Sequence, residues 1–282
     1  MEQVRHRNRG IRKFWAMAVV ATLEYVSRRL AERNLTFTVG REMYDAYSKG
    51  GRRVYQMAVS LVSEQDIDDT FRTVTVGLHA PVRLLSVGRL DPEKGLPLLI
   101  AAVEELVRVR RRDVVLWIVG KGLKGMEEWR LRQDVERRHL TNRVRFLGYV
   151  PHGEELFRIY RESDVFVLPS LTGEGIPQTL FEAMACGIPV IASRVAGIPS
   201  AVVNGKSGLL IRPGSSGQLC DAVERLIGDA ELRKSLIRRG FDTARKHTLD
   251  AERDRMIARI EAWLEERKKK ETVAKRGSVL TE

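Results

Sequence analysis

The amino-acid sequence predicts an α/β fold with an open parallel β-sheet and helices on both faces. Three observations support this prediction. Short apolar runs typical of buried strands alternate with helical segments from Val82 onward, and this alternation indicates a parallel sheet. Glycine-containing loops separate the strands from the helices that follow them. The clearest unit, at residues 165–192, is a strand, a glycine-containing turn, a helix and a second strand.

The first third of the chain contains too few elements for a complete domain of this kind. Its pattern predicts a helix, a strand, a second helix and a second strand. These are expected at Ile11–Arg33, Leu35–Val39, Arg41–Ser48 and Val54–Leu61. The first helix carries an apolar stripe made of Trp15, Val19, Leu23, Val26 and Leu30. A basic helix with such a stripe packs on a neighbouring domain or lies on an anionic membrane, and packing on a domain is the preferred interpretation.

The stretch Asp66–Pro81 is polar and then irregular, and we expect it to be a linker. The main domain follows it. Its strands are predicted at Val82–Val87, Val114–Val119, Val144–Phe146, Val165–Pro169, Ile188–Ala192 and Gly208–Ile211. Its first helices are predicted at Leu96–Val109, Met126–His139 and Glu154–Arg161. Three more helices are expected from about Gly217, Ala230 and Asp250, and the lysine-rich tail after Arg267 is expected to be disordered.

The central unit carries the first candidate site. Its helix is stopped by Gly187 and Pro189. The amides of Gln178, Thr179 and Leu180 are expected to be free at the helix N-terminus, where the helix dipole favours an anion. Glu174 lies in the preceding loop and Glu182 about one turn into the helix. Carboxylates beside an anion site are poor phosphate ligands but good acceptors for sugar hydroxyls.

A second candidate site lies in the loop after the strand Val82–Val87. This loop carries Arg89 and Lys94 between two glycines, Gly88 and Gly95. The arrangement lets the backbone and both cations approach one phosphate group. Positioned cations stabilise the negative charge that develops on a departing diphosphate. The loop therefore predicts a phosphate-binding site, and the alternative is a surface turn whose cations are solvated.

The composition limits the other classes of function. The chain has 282 residues, of which 43% are hydrophobic and 30% charged, with a net charge of +12. This charge occurs without a zinc-finger, helix-turn-helix or aromatic RNA-binding motif, so we predict no nucleic-acid partner. A basic face for phosphorylated substrates or anionic lipid accounts for it instead. The five histidines lack metal-ligand spacing, and we predict no metal site.

The sequence also predicts a cytoplasmic location. Cys186 and Cys220 are far apart, so a structural disulfide is not expected and a reducing compartment fits. The apolar run Phe14–Leu23 has no small-residue cleavage site, and it is too short to cross a bilayer.

Two motifs together resemble those of the family 4 retaining glycosyltransferases of the GT-B fold. The first is Gly-Arg-Leu-x-x-x-Lys-Gly at residues 88–95. The second is Glu-Gly-x-Pro at residues 174–177, followed by Glu-Ala-x-Ala-x-Gly-x-Pro-Val-x-Ala at residues 182–192. The resemblance is strong from Val82 to about His247. It implies a Rossmann-like parallel sheet, which is the C-terminal half of a GT-B fold, and a partial N-terminal α/β segment.

The resemblance also implies roles for individual residues. Arg89 and Lys94 would hold the donor diphosphate, and Glu174 would accept hydrogen bonds from the donor sugar. Glu182 would bind the ribose hydroxyls. The implied nucleotide-binding residues are Gly88, Gly120, Gly148, Tyr149, Val150, Gln178, Thr179, Leu180 and Glu182. In this set, residues 148–150 form the base-binding segment. The chain departs from the family at Ser200, where a glutamate is common.

The same resemblance predicts the domain organisation. Residues 1–67 would be a partial, acceptor-side segment and residues 68–81 a linker. Residues 82–249 would form the nucleotide-sugar donor domain, and residues 250–282 a C-terminal helix and basic tail. Most of the acceptor-binding domain would then be absent from this chain.

The predicted function is therefore retaining transfer of a sugar from a nucleotide-diphosphate sugar to a carbohydrate or lipid-linked acceptor. Polysaccharide or glycoconjugate synthesis is the expected context, without a further cofactor, in the cytoplasm or peripherally on the inner face of the membrane. One alternative is a non-catalytic or partner-dependent nucleotide-sugar-binding subunit that needs a second polypeptide. A sugar-nucleotide epimerase shares the fold, but Glu174 within Glu-Gly-x-Pro argues against it. A nucleic-acid binder is supported by charge alone.

Overall fold

A computed structural model describes residues 11–39, 41–49, 53–58, 60–74, 77–122, 125–173 and 175–279. The chain forms two compact units, one made of residues 1–57 and 257–282 and the other of residues 58–256. Among the described helices, none is both long and apolar enough to cross a membrane.

The first unit contains a small parallel sheet. Its elements are α1 (Ile11–Arg33), β1 (Thr36–Val39), α2 (Arg41–Tyr47) and β2 (Val54–Met57). Strands β1 and β2 pair in parallel, with Thr36 opposite Val54. The predicted second strand is too long, because pairing ends at Met57 and not at Leu61. The sequence of this unit contains 19 Lys and Arg against 10 Asp and Glu, so it carries most of the net charge of +12.

The second unit is built on a six-stranded sheet whose neighbouring strands all pair in parallel. Its strands are β3 (Val82–Val87), β4 (Val114–Val119), β5 (Val144–Gly148), β6 (Val165–Leu168), β7 (Val190–Ser193) and β8 (Leu209–Ile211). Their order across the sheet is β5-β4-β3-β6-β7-β8. Strand β3 has Val82 opposite Val114 in β4 and Leu84 opposite Val165 in β6. The apolar runs that predict these strands are buried because helices cover both faces.

Two hydrophobic cores fill the space between the sheet and its helices. The helices are α3 (Glu64–Thr73), α4 (Leu96–Arg108), α5 (Met126–Arg137), α6 (Glu154–Arg161), α7 (Gln178–Ala185), α8 (Ile198–Ala201), α9 (Ser216–Gly228), α10 (Ala230–Lys246) and α11 (Leu249–Val279). Helices α4, α5 and α9 contribute to one core, and α3, α6, α7, α8 and most of the buried face of α10 contribute to the other. Alternate residues of β3 enter opposite cores, as Leu84 and Leu85 show. The predicted layered architecture is confirmed.

Two predicted irregular segments are helical. The first part of Asp66–Pro81 lies in α3, which begins with a capping box: Ser63 Oγ accepts a hydrogen bond from the Asp66 amide, and the Asp66 carboxylate accepts one from the Ser63 amide. Ile67 is fully buried and anchors this otherwise polar helix. The tail after Arg267 continues α11 to Val279, since Lys, Arg, Glu and Ala favour helix. The expected disorder there is wrong.

A cavity of about 220 Å³ lies at the edge of this sheet where β6 and β7 begin. It is lined in part by Asp164, whose buried carboxylate accepts hydrogen bonds from the His79 and Arg83 amides at 3.1 and 2.6 Å. Asp164 therefore fixes the segment that enters β3. This edge is opposite to the one that carries the motif residues.

Candidate functional site

The carboxyl ends of β3 and β6 lie side by side in the middle of the sheet. From β3 the chain moves outward to β4 and β5, then returns to β6 and continues to β7 and β8 on the other side. Ligands of open parallel sheets bind at such a reversal, outside the carboxyl ends of the strands. The loop after β3 carries Arg89 and Lys94, and the loop after β6 leads to α7. The reversal between these two strands therefore defines the candidate site.

Two glycines let the loops of this site touch through their backbones. Gly120 has φ +146°, and a Cβ there would lie 1.8 Å from the Gly88 carbonyl oxygen. Gly95 has φ +68°, and a Cβ there would lie 2.1 Å from the Pro169 carbonyl oxygen. Neither contact leaves room for a side chain. The loops after β4, β3 and β6 are therefore packed at backbone distance.

Backbone hydrogen bonds hold the same loops together. The Gly120 amide donates to the Gly148 carbonyl at 2.7 Å, and the Gly88 amide donates to the Val119 carbonyl at 3.0 Å. The Leu171 amide donates to the Glu93 carbonyl at 2.8 Å, which joins the loop after β6 to the loop after β3. The predicted residues Gly88, Gly120 and Gly148 thus lie on one connected edge of the sheet.

The two predicted cations lie in the loop after β3. Arg89 is exposed, and its guanidinium pairs with the Asp91 carboxylate at 3.0 Å. Lys94 ends a short 3-10 helix, Pro92–Lys94, which stops at the left-handed Gly95. A Cβ on Gly88 would lie 4.0 Å from Lys94 Cε, so the lysine side chain folds back toward the first glycine of the motif. Arg89, Lys94 and Gly88 line one small cavity.

Helix α7 begins at Gln178, directly after Pro177, and no described side chain caps it. Gln178 and Thr179 are half-buried, whereas the Leu180 side chain is fully buried in the core. The Leu180 amide is not free, in contrast to the prediction, because it donates to the Pro177 carbonyl at 3.2 Å. The tight first turn of the helix uses this amide. Gln178 and Thr179 remain as the predicted amide donors for an anion.

Glu182 lies in helix α7, and its carboxylate is buried. It is only 5% exposed, and its Oε2 accepts a hydrogen bond from the Tyr160 hydroxyl at 2.8 Å. Burial raises the pKa of Glu182, while the Tyr160 hydrogen bond and the nearby His152 act to lower that pKa. Burial also raises the pKa of Tyr160 well above its ordinary value, so its hydroxyl stays protonated and remains a hydrogen-bond donor. Glu182 is thus not the solvent-facing charge of an ordinary surface helix.

The predicted base-binding segment follows β5. Gly148 adopts φ +73° at the end of the strand. Tyr149 is exposed, whereas Val150 packs against the core that contains α6 and α7. The segment leads through His152 to the start of α6, which carries Tyr160. The predicted base-binding loop is therefore close along the chain to Tyr160, the hydrogen-bond partner of Glu182.

Glu174 lies outside the residues that the structure describes. Next to it, Gly175 is in close contact with the loop after β7, because a Cβ on Gly197 would lie 2.6 Å from the Gly175 carbonyl oxygen. Ser200, at the departure from the family, is exposed on α8. Within the described part of the chain, no group of three or more His, Cys, Asp or Glu could hold a metal ion.

No motif in the sequence singles out Tyr160. Its position in α6 fits the buried face of an amphipathic helix, as do its neighbours Leu156, Phe157 and Ile159. Only the tertiary packing of α6 on α7 brings its hydroxyl to Glu182. A tyrosine on the apolar face of this helix was the available signal, since a buried hydroxyl needs a hydrogen-bond partner.

Comparison with known proteins identifies the family. The sequence model of the family described as glycosyl transferases group 1 matches residues 75–243, which is more than half of the chain. The chain belongs to this family. It is 37% identical over 174 residues to a D-inositol 3-phosphate glycosyltransferase of Corynebacterium jeikeium, covering 61% of this chain and 39% of that protein. It is also 37% identical over 161 residues to the amylovoran biosynthesis glycosyltransferase AmsK of Erwinia amylovora. This match covers 55% of this chain and 38% of AmsK.

The matched region thus spans less than half the length of these group 1 relatives. Among solved structures, Anabaena HepE in complex with UDP aligns with a TM-score of 0.71 at 24% identity, over 86% of this chain and 68% of that one. Sucrose-phosphate synthase of Thermosynechococcus elongatus aligns with a TM-score of 0.68 at 25% identity, over 86% and 62%. The α/β fold is accordingly that of GT-B glycosyltransferases.

Proposed function

We propose that this group 1 chain transfers a sugar, with retention, from a nucleotide-diphosphate sugar to a carbohydrate or lipid-linked acceptor, as a family 4 enzyme of polysaccharide or glycoconjugate synthesis. One observation carries the proposal: Arg89 and Lys94 share a loop at the strand-order reversal. The helix after the neighbouring strand β6 holds the buried Glu182. Relatives at 37% identity are glycosyltransferases, and the HepE structures contain UDP, or UDP and glucose.

The cations suit the charge that this reaction develops. The bond between the anomeric carbon and a phosphate oxygen breaks, and the acceptor oxygen bonds to that carbon. The acceptor's hydroxyl proton passes to the released diphosphate or to water. Negative charge on the departing diphosphate is stabilised by Arg89 and Lys94. Exposure of Arg89 and its weak surface pair with Asp91 leave the guanidinium able to turn to the diphosphate.

The two glutamates take different parts of the donor. Glu182 binds the ribose hydroxyls as a hydrogen-bond acceptor, and Tyr149 and Val150 lie beside the base. Glu174 accepts hydrogen bonds from the donor sugar. The donor itself is the group that reacts, so the proposal requires no further cofactor.

Calorimetric titration with UDP, GDP and ADP tests the donor part of the proposal. At least one nucleoside diphosphate is expected to bind, and a radiolabelled or mass-detected transfer assay with the matching nucleotide sugar then tests turnover. Failure of all three nucleotides to bind would contradict the proposal. Binding without turnover would favour the second candidate, a partner-dependent nucleotide-sugar-binding subunit.

The first unit supports that second candidate. The described part of its sheet has two parallel strands, whereas parallel sheets normally have more strands and are covered on both faces. The apolar stripe of α1 is exposed, with Trp15 at 65%, Leu23 at 61% and Leu30 at 59%. Exposed apolar patches mark protein or membrane interaction sites. The partner would be a second polypeptide, or an anionic membrane that the excess of Lys and Arg in this unit attracts.

Light scattering and liposome sedimentation distinguish these partners. If the membrane is the partner, the chain sediments with vesicles that contain an anionic lipid but not with neutral vesicles, and Leu23→Glu reduces the bound fraction. Val109→Glu is the matched control, because Val109 is exposed on the second unit. Self-association, or turnover only after a second polypeptide is added, would favour a protein partner. Robust turnover by a monomer that binds no vesicles would contradict both.

A further inference from the structure

We propose that Tyr160 is a positioning residue for nucleotide binding, which holds the Glu182 carboxylate where it receives the ribose hydroxyls. The inference rests on the proposed function, because it assigns the partner of Glu182 in that site. It adds a residue that lies outside the two sequence motifs.

The contact joins two helices behind the site. Tyr160 OH lies 2.8 Å from Glu182 Oε2, and both side chains are buried. The tyrosine ring packs on Phe166 of β6, with ring centroids 5.7 Å apart. A phenol hydroxyl moves only with its ring, and close packing in the core keeps the ring in place. The donor position is therefore fixed by the sheet.

The chemistry of the contact selects one form of Glu182. A tyrosine hydroxyl donates one hydrogen bond, which Glu182 Oε2 accepts here. Oε1 and the second lone pair of Oε2 can still accept hydrogen bonds. They are available to the two neighbouring hydroxyls of the ribose. A carboxylate that receives hydrogen bonds keeps its charged, acceptor-only form. Tyr160 thus fixes the direction of the Glu182 carboxylate and favours its charged form against the effect of burial.

The groups that face Glu182 give the effect a pH dependence. These groups are Tyr160 from α6, His152 from the loop before α6, and the buried Cys186 at the end of α7. Burial raises the pKa of Glu182, and the Tyr160 hydrogen bond opposes that rise. Removal of the hydroxyl lets the pKa of Glu182 rise further. As pH falls, the Glu182 carboxylate of the variant therefore takes up its proton at a higher pH than in the parent chain. The loss of ribose binding on acidification moves to that higher pH.

The test compares Tyr160→Phe with the parent chain across a pH series of calorimetric titrations with UDP, GDP and ADP. We expect the binding nucleotide to bind about tenfold more weakly to Tyr160→Phe at pH 7, since Glu182 is then neither held in place nor kept charged for the ribose hydroxyls. The pH at which affinity falls by half should move upward. Ser163→Ala is the matched control, because its buried hydroxyl donates to the Ile159 carbonyl at 2.8 Å and has no described bond to Glu182. It should leave the pH profile in place.

A double-mutant cycle shows whether Tyr160 acts through Glu182. The affinity change caused by Tyr160→Phe should disappear in a Glu182→Ala background. An unchanged pH profile in Tyr160→Phe, or an effect that persists without Glu182, would overturn the inference while the proposed function stands. Failure of the parent chain to bind any of the three nucleotides would overturn both.

A second variant keeps the test independent of folding. If Tyr160→Phe does not fold, site-specific 3-fluorotyrosine at position 160 retains the buried ring and makes its hydroxyl a stronger donor. The pH at which nucleotide affinity falls by half should then move downward. An unmoved pH profile in a folded fluorinated protein would overturn the positioning role.

Discussion

The contact between Gly120 and Gly88 gives a prediction whose size follows from the structure. A Cβ at residue 120 would lie 1.8 Å from the Gly88 carbonyl oxygen, whereas ordinary contact begins at 3.4 Å. The Gly120→Ala variant must therefore move the loops after β3 and β4 apart by more than 1 Å. The backbone at φ +146° adds strain of about 1–3 kcal/mol for a residue with a side chain.

The movement also weakens two hydrogen bonds at this edge. They join Gly120 to Gly148 at 2.7 Å and Gly88 to Val119 at 3.0 Å, and each contributes about 0.5–1.5 kcal/mol. Together with the strain, we expect Gly120→Ala to lower the free energy of unfolding by about 4 kcal/mol. For a chain of this size the melting temperature would fall by roughly 8–16 °C.

Differential scanning calorimetry of Gly120→Ala measures this change. Gly217→Ala is the control, because Gly217 lies in the helix α9 and a Cβ there meets nothing within 4 Å. That control should be neutral or stabilise the protein by up to about 1 kcal/mol. Equal melting temperatures for the two variants would refute the inferred backbone contact between the loops.

Three further predictions concern the motif residues. Arg89→Ala and Lys94→Ala should each weaken nucleoside diphosphate binding by about 1.5–3 kcal/mol in calorimetry, because each removes a charge-assisted hydrogen bond; unchanged affinity in both variants would contradict the assignment. Glu182→Gln should weaken binding of the nucleoside diphosphate, whereas Glu174→Gln should mainly reduce the rate of sugar transfer. Equal losses of nucleotide affinity in the two variants would contradict this division of roles. Glu182→Gln should also be at least as stable as the parent chain in thermal unfolding at pH 7. Burial raises the pKa of Glu182, so the folded state binds this proton more tightly than the unfolded state does. The parent chain therefore loses stability as pH rises from about 4.3, the pKa of an unfolded glutamate, through the pKa in the folded state. The stability difference between the two proteins should therefore vanish in acid below that range, and a lower stability of Glu182→Gln at pH 7 would contradict the burial effect.

Much of the donor-side fold could be predicted because its strands are short, continuous apolar runs. The bounds of β3 and β4 agree with prediction, since polar residues or a glycine end each run. Helix α3 was hidden by its polarity, as only a few of its side chains, such as Ile67, are buried. Its capping box at Ser63 was the local signal that marked its start.

The site was predictable only as far as its motifs extend along the chain. The sequence brings Arg89 and Lys94 into one loop, and the strand order then places that loop beside the one that leads to α7. The Tyr160 hydrogen bond to Glu182 depends on how α6 packs against α7, which no local pattern encodes. The same holds for the Leu180 amide, whose engagement with Pro177 depends on the tight first turn of the helix.

The most direct test of the central claim is a calorimetric titration of the parent chain with UDP, GDP and ADP, repeated with the double variant Arg89→Ala/Lys94→Ala. Lys234→Ala is the control, because Lys234 is an exposed cation on α10 that pairs with Glu231. We expect one nucleotide to bind the parent chain and the control with equal affinity and the double variant at least about a hundredfold more weakly. Equal binding to all three proteins, or no binding to the parent chain, would contradict a nucleotide-sugar site at the strand-order reversal.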